Sequence, residues 1–271
     1  MTEQTFSAAD NPTLANSLIE QATAEAPVAI APAHITEPSD TLISLPGGYI
    51  SPTGEVVRTA EVRELTGRDE EVLSRVTTVG RMFTTILARA IVKVGKHQVT
   101  EEVLDELLAG DRDALLLGIF KVTFGAETEV GAYCEGCKDY KTVLVDLDKD
   151  IKTKVLVDPI NNRTFTVIGK SHEYLVTLPT GKVQRELTAD SDKTIAELSS
   201  ILLENCVLQI DGDPILTKAQ VKNLGIVDRK KIADEIYKRS PGPQFEDLVI
   251  NCPDCGGKVV VPINLGAMFP F

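Results

Sequence analysis

Glu129-Val130-Gly131-Ala132-Tyr133-Cys134-Glu135-Gly136-Cys137, followed by Lys141-Thr142-Val143-Leu144-Val145, is the stretch on which the architecture turns. It has a counterpart near the end of the 271-residue chain. There, Asp247-Leu248-Val249-Ile250 leads into Cys252-Pro253-Asp254-Cys255, and Lys258-Val259-Val260-Val261 leads out. The apolar, β-branched runs flanking each pair predict strands. Two residues between cysteines let one tight turn present both sulfurs to a single ion, and four soft thiolates in a tetrahedron suit zinc. Gly136 lies inside the first turn and Gly256 and Gly257 just after the second, where backbone amides can face the sulfurs with no side chain in the way. Cys134, Cys137, Cys252 and Cys255 are therefore expected to hold one structural Zn2+ per chain, in a zinc ribbon split along the sequence.

The split is wide. Between Cys137 and Cys252 lie 114 residues, against a usual gap of ~15–20. Chain entropy permits it, since each doubling of a loop costs only ~0.6 kcal/mol. The intervening chain then forms folded structure of its own, and the ribbon is expected where two halves meet. Redox Cys-x-x-Cys pairs sit at helix N-termini, whereas these precede strands. Disulfides need an oxidising compartment, for which the sequence carries no signal. Two separate metal sites would each need two more ligands, which His34, His97 and His172 are not spaced to supply. Cys206, alone on an apolar helical stretch, reads as a buried core thiol.

Around this frame the composition is that of a globular protein, 43% hydrophobic and 25% charged, with no Trp. A net charge of −12 disfavours nucleic-acid phosphates. The densest basic cluster, Arg229-Lys230-Lys231, reads as one charged helix face. No apolar run approaches the ~20 residues a membrane helix takes, and no secretory pattern is read at Met1-Thr2-Glu3-Gln4. The chain is expected to work in a reducing cytoplasm without a membrane, nucleic acid or small-molecule substrate. Phosphate-binding glycine loops and nucleophile elbows are absent from the sequence. His97 and His172 read as solvated loop residues, and Asp211-Gly212-Asp213-Pro214 as a β-turn. No catalytic constellation emerges, so an enzyme is not expected.

The organisation expected is α+β, in two pseudo-repeated halves, each with a β-hairpin, helices and a cysteine knuckle, sharing the ribbon. Residues 1–42 form a disordered acidic Ala/Pro-rich tail, 43–147 the N-terminal half, 148–164 a connector and 165–271 the C-terminal half. In the first half, Val72, Val76, Met82, Ile86, Leu87, Ile91 and Val92 form a helical stripe interrupted near Gly80. A second helix starts at Thr100 and stops at Gly110, and a third, capped by Asp111, ends at Gly125. Four echoes suggest a duplication: Pro52-Thr53-Gly54 with Pro179-Thr180-Gly181, Arg63-Glu64-Leu65-Thr66 with Arg185-Glu186-Leu187-Thr188, Asp111-Arg112 with Asp228-Arg229, and the two Cys-x-x-Cys pairs. Their offsets are 127, 122, 117 and 118 residues, in constant order.

Two further motifs accompany the cysteines. Leu45-Pro46-Gly47-Gly48-Tyr49-Ile50-Ser51-Pro52-Thr53-Gly54 leads into Arg63-Glu64-Leu65-Thr66-Gly67-Arg68-Asp69-Glu70. The helical block closes on Phe124-Gly125, the first knuckle is followed by Val145-Asp146-Leu147, and the second by Val261-Pro262 and Met268-Phe269-Pro270-Phe271. As an ordered set over roughly residues 43–271, this resembles the baseplate hub assembly proteins of contractile-tailed, T4-type bacteriophages. The resemblance implies a non-enzymatic part in building or forming the tail baseplate, in the host cytoplasm during assembly or in the virion tail baseplate, with other phage tail and baseplate proteins as partners. The alternative is a zinc-ribbon accessory protein of transcription or nucleic-acid binding, which the acidic charge opposes. A metal-dependent or redox enzyme would need an open metal position or a reactive thiol.

Overall fold

The computed structural model of the chain describes residues 40–190 and 192–270. The first strand, β1 (Asp40–Ile50), starts ahead of the expected boundary, so residues 40–42 belong to the fold; the rest of the expected tail lies outside the described residues. β1 turns through Ser51–Gly54, where Gly54 takes φ +82°, into β2 (Val56–Arg63). Then follow α1 (Gly67–Leu73), α2 (Val79–Ala90), β3 (Ile91–Val94), β4 (His97–Gln98), α3 (Glu101–Glu106) and α4 (Ala109–Phe124). The strands form one antiparallel sheet in the order β1-β2-β3-β4. A hairpin of β5 (Glu127–Cys134) and β6 (Asp139–Asp146) comes next, and then β7 (Thr153–Lys154).

A second antiparallel sheet follows, built from β8 (Thr164–Ile168), β9 (Glu173–Thr177), β10 (Val207–Ile210) and β11 (Asp213–Pro214) in that order. Helices α5 (Gly181–Thr188) and α6 (Ile195–Cys206) lie between β9 and β10, while α7 (Lys218–Lys222) and α8 (Ile226–Arg239) follow β11. β12 (Gly242–Pro243) returns to pair with β7, and β13 (Leu248–Asn251), β14 (Lys258–Val261) and α9 (Leu265–Met268) end the described chain. The chain is α+β, with several small antiparallel sheets.

Three local expectations change. Ile91 and Val92 leave the helical stripe and begin β3, where Ile91 pairs with Val62 and Val94 with Ala60; the β-branched residues take the sheet they can pack in. Gly80 sits in the first turn of α2 and does not interrupt it; a Cβ there would lie 2.6 Å from Thr188 Cβ, so the glycine admits a close neighbour. Gly110 and Asp111 are both inside α4, whose N-cap is Leu108. Thr100 does cap α3, accepting the Val103 amide at 3.3 Å, and Gly125 does end α4.

Asp111 is instead the third residue of α4, fully buried, accepting the Gly47 amide at 2.6 Å. Burial pushes its carboxyl up to about 6 against the pull of that amide. Asp228 is the third residue of α8 and accepts the Lys170 amide at 2.5 Å and the Tyr174 hydroxyl at 2.8 Å. The arginine after each aspartate reaches back to a carbonyl eight residues earlier: Arg112 to Leu104 and Arg229 to Val221. Two of the four sequence echoes, by contrast, fall on different elements. Pro52-Thr53-Gly54 is a hairpin turn while Thr180-Gly181 caps and opens α5; Arg63 ends a strand while Arg185 lies within α5.

Two main cores result. One gathers Leu45, Tyr49, Val62, Ile86, Leu116 and Phe120 with the inward faces of the β5/β6 hairpin. The other gathers Val167, Tyr174, Val176, Leu203, Cys206, Ile232 and Ile236. The chain's last segment does not join the second core. Cys252, Val259, Val261, Leu265 and Phe269 pack into the first, where the Phe269 ring meets Phe120 edge-on at 5.6 Å. At ~1.5–3 kcal/mol for each large apolar side chain buried, this anchors the C-terminal hairpin well.

Asp69 holds the start of the helical block. Its side chain is fully buried and bonded by Arg63 at 2.8 Å, Arg89 at 2.6 Å and the Thr66 amide at 2.9 Å. Burial alone would raise its pKa; the two guanidiniums and the amide outweigh that and hold the carboxyl below the usual carboxylate range. A depressed folded-state pKa contributes stability above the unfolded value of ~3.9, lost as pH falls through the folded one. Asp69→Asn is therefore expected to destabilise by about 2–3 kcal/mol at neutral pH, less than the ~3–5 kcal/mol of a fully buried broken pair because both arginines reach solvent. Urea titrations should show the gap to wild type closing below pH ~4; a constant gap would be the contrary result.

Candidate metal centre

Each cysteine pair sits on a hairpin whose register fixes it. In the first, Cys134 at the end of β5 pairs with Asp139 at the start of β6, leaving Glu135–Lys138 as the turn. Lys138 closes that turn at φ +55°. In the second, Asn251 pairs with Lys258. The Cys252 amide donates to the Gly257 carbonyl at 2.7 Å, and the Gly256 amide to the Cys252 carbonyl at 2.9 Å. Gly256 adopts φ +69°, a left-handed conformation that suits glycine. β14 lies beside β5, so the two turns face each other.

All four expected ligands meet here. Their sulfurs lie within 4.8 Å of one another, with Cys134 Sγ 3.6 Å from Cys255 Sγ and Cys137 Sγ 3.8 Å from Cys252 Sγ. Sulfurs ~2.3 Å from a tetrahedral ion stand about 3.8 Å apart, so the cluster is compatible with a single zinc. The separations are too long for S–S bonds of ~2.05 Å, and none of the five cysteines is in a disulfide. Cys134 and Cys252 are buried, Cys137 is half-buried and Cys255 is exposed, which places the centre at the rim of the first core.

The surroundings favour thiolates and closeness. The backbone amides of Cys255 and Asp254 draw the Cys252 thiol down to about 7. Contact with the Cys255 sulfur, together with burial, raises Cys137, because neighbouring thiols compete for protons. Four thiolates at this spacing repel one another, and a dication is the charge that relieves them. Gly136 has a steric purpose: a Cβ there would stand 3.1 Å from Cys255 Sγ. The Gly257 amide points to the same sulfur at 3.4 Å. Lys141 bridges the hairpins, 2.9 Å from Asp254 and 3.2 Å from Asp139, a tie without a signal in the spacing of the sequence.

The remaining candidates stay apart from this centre. Cys206 is buried in the second core, where burial pushes its thiol up to about 12, the opposite of a reactive cysteine. Cys206→Ala is expected to leave metal content unchanged and to cost about 1–2 kcal/mol from the small cavity; metal analysis and calorimetry on one preparation check both. His97 is half-buried in β4 and packs edge-on to Tyr49 at 5.8 Å, so it is part of the fold and not a free loop residue. His172 is exposed and shares a hydrogen bond with Asp211 at 2.6 Å, at the turn where Asp211 and Gly212 adopt positive φ. Among the described residues no helix is long and apolar enough to cross a membrane. The four-cysteine set is the one group of metal-ligating side chains found among them. Compared with family models, curated proteins and solved structures, the chain matches none.

Proposed function

We propose that this chain is a non-catalytic structural or assembly protein of a contractile phage tail baseplate, stapled by one zinc ion. The observation that carries the non-catalytic reading is the donor set: four sulfurs, paired across 115 and 121 residues of sequence, lie within 4.8 Å of one another and are enough to fill every corner of a tetrahedral site. A filled tetrahedron leaves no position for water or substrate, so its metal acts on folding. The baseplate assignment rests on the ordered motifs. Supporting it, the motif residues are fold-determining: Tyr49 and Asp69 are buried, and the Ser51 carbonyl accepts the Gly54 amide in the hairpin turn. The test is quantitative mass spectrometry of purified particles beside infected-cell lysate. Enrichment with tail proteins marks a baseplate subunit, and abundance in lysate alone marks a transient assembly factor. Failure to associate with any tail or hub component removes the reading.

We also read the chain as two copies of one unit. Support comes from element order: sheet β1-β2-β3-β4 with α1 to α4 runs parallel to sheet β8-β9-β10-β11 with α5 to α8. α2 and α6 are both 12 residues long and each passes directly into a four-residue strand. The polar ties are alike: Asp111 accepts the amide of Gly47 within β1 and Asp228 that of Lys170 just beyond β8, while Arg112 and Arg229 also reach hydroxyls, Thr84 on α2 and Ser200 on α6. On this alignment Thr66-Gly67 opening α1 corresponds to Thr180-Gly181 opening α5.

A further inference from the structure

The contact between the two units has a direction. The first unit offers the length of α3 and the first turns of α4; the second covers them with α5 and the turn before it. Arg185 on α5 pairs with Glu101 and, at 2.6 Å, with Asp105, both on α3. Gln184 donates to Asp113 on α4 at 2.6 Å. Backbone joins backbone too, with the Ala109 amide on the Pro179 carbonyl at 2.9 Å and the Gly181 amide on the Leu107 carbonyl at 2.7 Å. Because the contact joins unlike faces, each unit has one face that no other described residue covers in this way: α7 and the start of α8 on the second, and α1 on the first.

Those unused faces carry the junction's charges exchanged. At the positions of Glu101 and Asp105 the second unit has Lys218 and Lys222, and at that of Asp113 it has Lys230, all exposed. At the positions of Gln184 and Arg185 the first unit has Glu70 and Glu71, also exposed. Arg81 lines a groove at the internal junction beside the uncharged Ala189, and their counterparts on the other faces, Glu197 and Arg75, are of opposite sign. Glu204 lies 3.4 Å from both Lys218 and Lys222 and offsets part of their charge, leaving the face basic through Lys230. Apolar side chains accompany it, with Ile226 84% and Val227 63% exposed. Gly67 adds a steric sign. A Cβ on Gly181 would stand 2.7 Å from Arg112 Cδ and overlap the Leu104 carbonyl oxygen, whereas Gly67 has nothing within 4 Å. A glycine at a helix start weakens the helix relative to alanine, and a carbonyl brought against it from outside would explain its use.

We propose that the chain self-associates head to tail, the Lys218, Lys222 and Lys230 face of one copy docking on Glu70 and Glu71 of the next in the manner of the internal junction. This rests on reading the chain as two copies of one unit. A contact between unlike faces does not stop at a twofold dimer; it builds a ring if the rotation closes and a filament if it does not.

The test is sedimentation velocity on the full, metal-loaded chain over a range of concentrations. Wild type should gain weight-average mass with concentration in ~0.05 M salt and lose it near ~0.5 M, as screening removes the charge pairs. Lys218→Glu/Lys222→Glu and Glu70→Lys/Glu71→Lys should each be monomeric, since each then presents two faces of like sign. An equimolar mixture of the two variants should associate again, because every face regains an opposite partner. All the substituted side chains are exposed, and unchanged metal content and melting temperature confirm that both variants fold. A monomeric wild type overturns the proposal, as does association that both reversals leave intact or that mixing fails to restore. The reading beneath it fails differently: an experimental structure whose two units do not superpose would remove the duplication, whatever the sedimentation result.

Discussion

Replacing Cys134 with serine is expected to reduce bound zinc from one per chain to near zero and to lower the melting temperature substantially. A neutral hydroxyl is a poor substitute for a thiolate, and three sulfurs leave the ion open to water. Small structural zinc sites carry apparent binding energies of ~10–16 kcal/mol, most of it realised as folding energy. Losing one ligand of four should forfeit a fraction on the order of 5 kcal/mol, and each kcal/mol moves a chain of this size by ~2–4 °C. The position magnifies the effect. Cys134 and Cys252 are part of the first core, beside Val143, Val145, Val259 and Val261. Freed from the ion, the β13/β14 hairpin keeps its apolar contacts but loses the link that fixes it to β5. Hydrogen exchange should therefore quicken first in β5, β6, β13 and β14, and later around Val176 and Leu203. Colorimetric zinc release and calorimetry, with Cys206→Ala as control, read the outcome. Full zinc and unchanged melting in Cys134→Ser would refute the shared site.

That expectation differs from a ribbon joining two bodies, and the difference shows what a sequence carries. Spacing is a local property, so the gathering of the four cysteines, the Thr100 cap and the Gly125 terminus are legible: each needs only its neighbours to be recognised. Cys206 is legible for the same reason, since an apolar helical stretch implies a buried face. Which core receives the second knuckle is set by distant partners, Phe120 and Phe83 against Phe269 among them, and no periodicity reports it. Asp111 misleads because a buried helical aspartate and an N-cap look alike in sequence; the nearby Gly47 amide, 64 residues away, decides between them. The Pro-Thr-Gly and Arg-Glu-Leu-Thr echoes mislead because short polar strings recur by chance, whereas the side-chain ties of Arg112 and Arg229 are visible only once the helices are in place.

The internal junction supplies the second large effect. Gly110→Ala is expected to destabilise by about 2–4 kcal/mol, although alanine favours a helix over glycine by ~0.5–1 kcal/mol. A Cβ at Gly110 would overlap the Pro241 carbonyl oxygen and stand 2.7 Å from its carbon and 3.2 Å from Gly242 Cα. These are backbone atoms, so no rotamer change can make room. Gly242 itself adopts φ +116°, a conformation that side chains oppose, and its β12 strand is tied to β7 by Lys154 and Thr153. The strain must then be met by moving α4 away from the Pro241–Gly242 segment, at the expense of the Ala109–Pro179 and Gly181–Leu107 backbone bonds. Gly181→Ala meets the same obstacle from the other side, against the Leu104 carbonyl. Gly67→Ala provides the control: it occupies the same place at a helix start with open space around it, so only the helix preference remains and stability should rise by a few tenths of a kcal/mol. Urea unfolding of the three variants separates the cases. Equal effects at Gly67 and Gly181 would mean that helix propensity, and not the close approach of α5 to α3 and of α4 to Pro241, sets the stability of this junction.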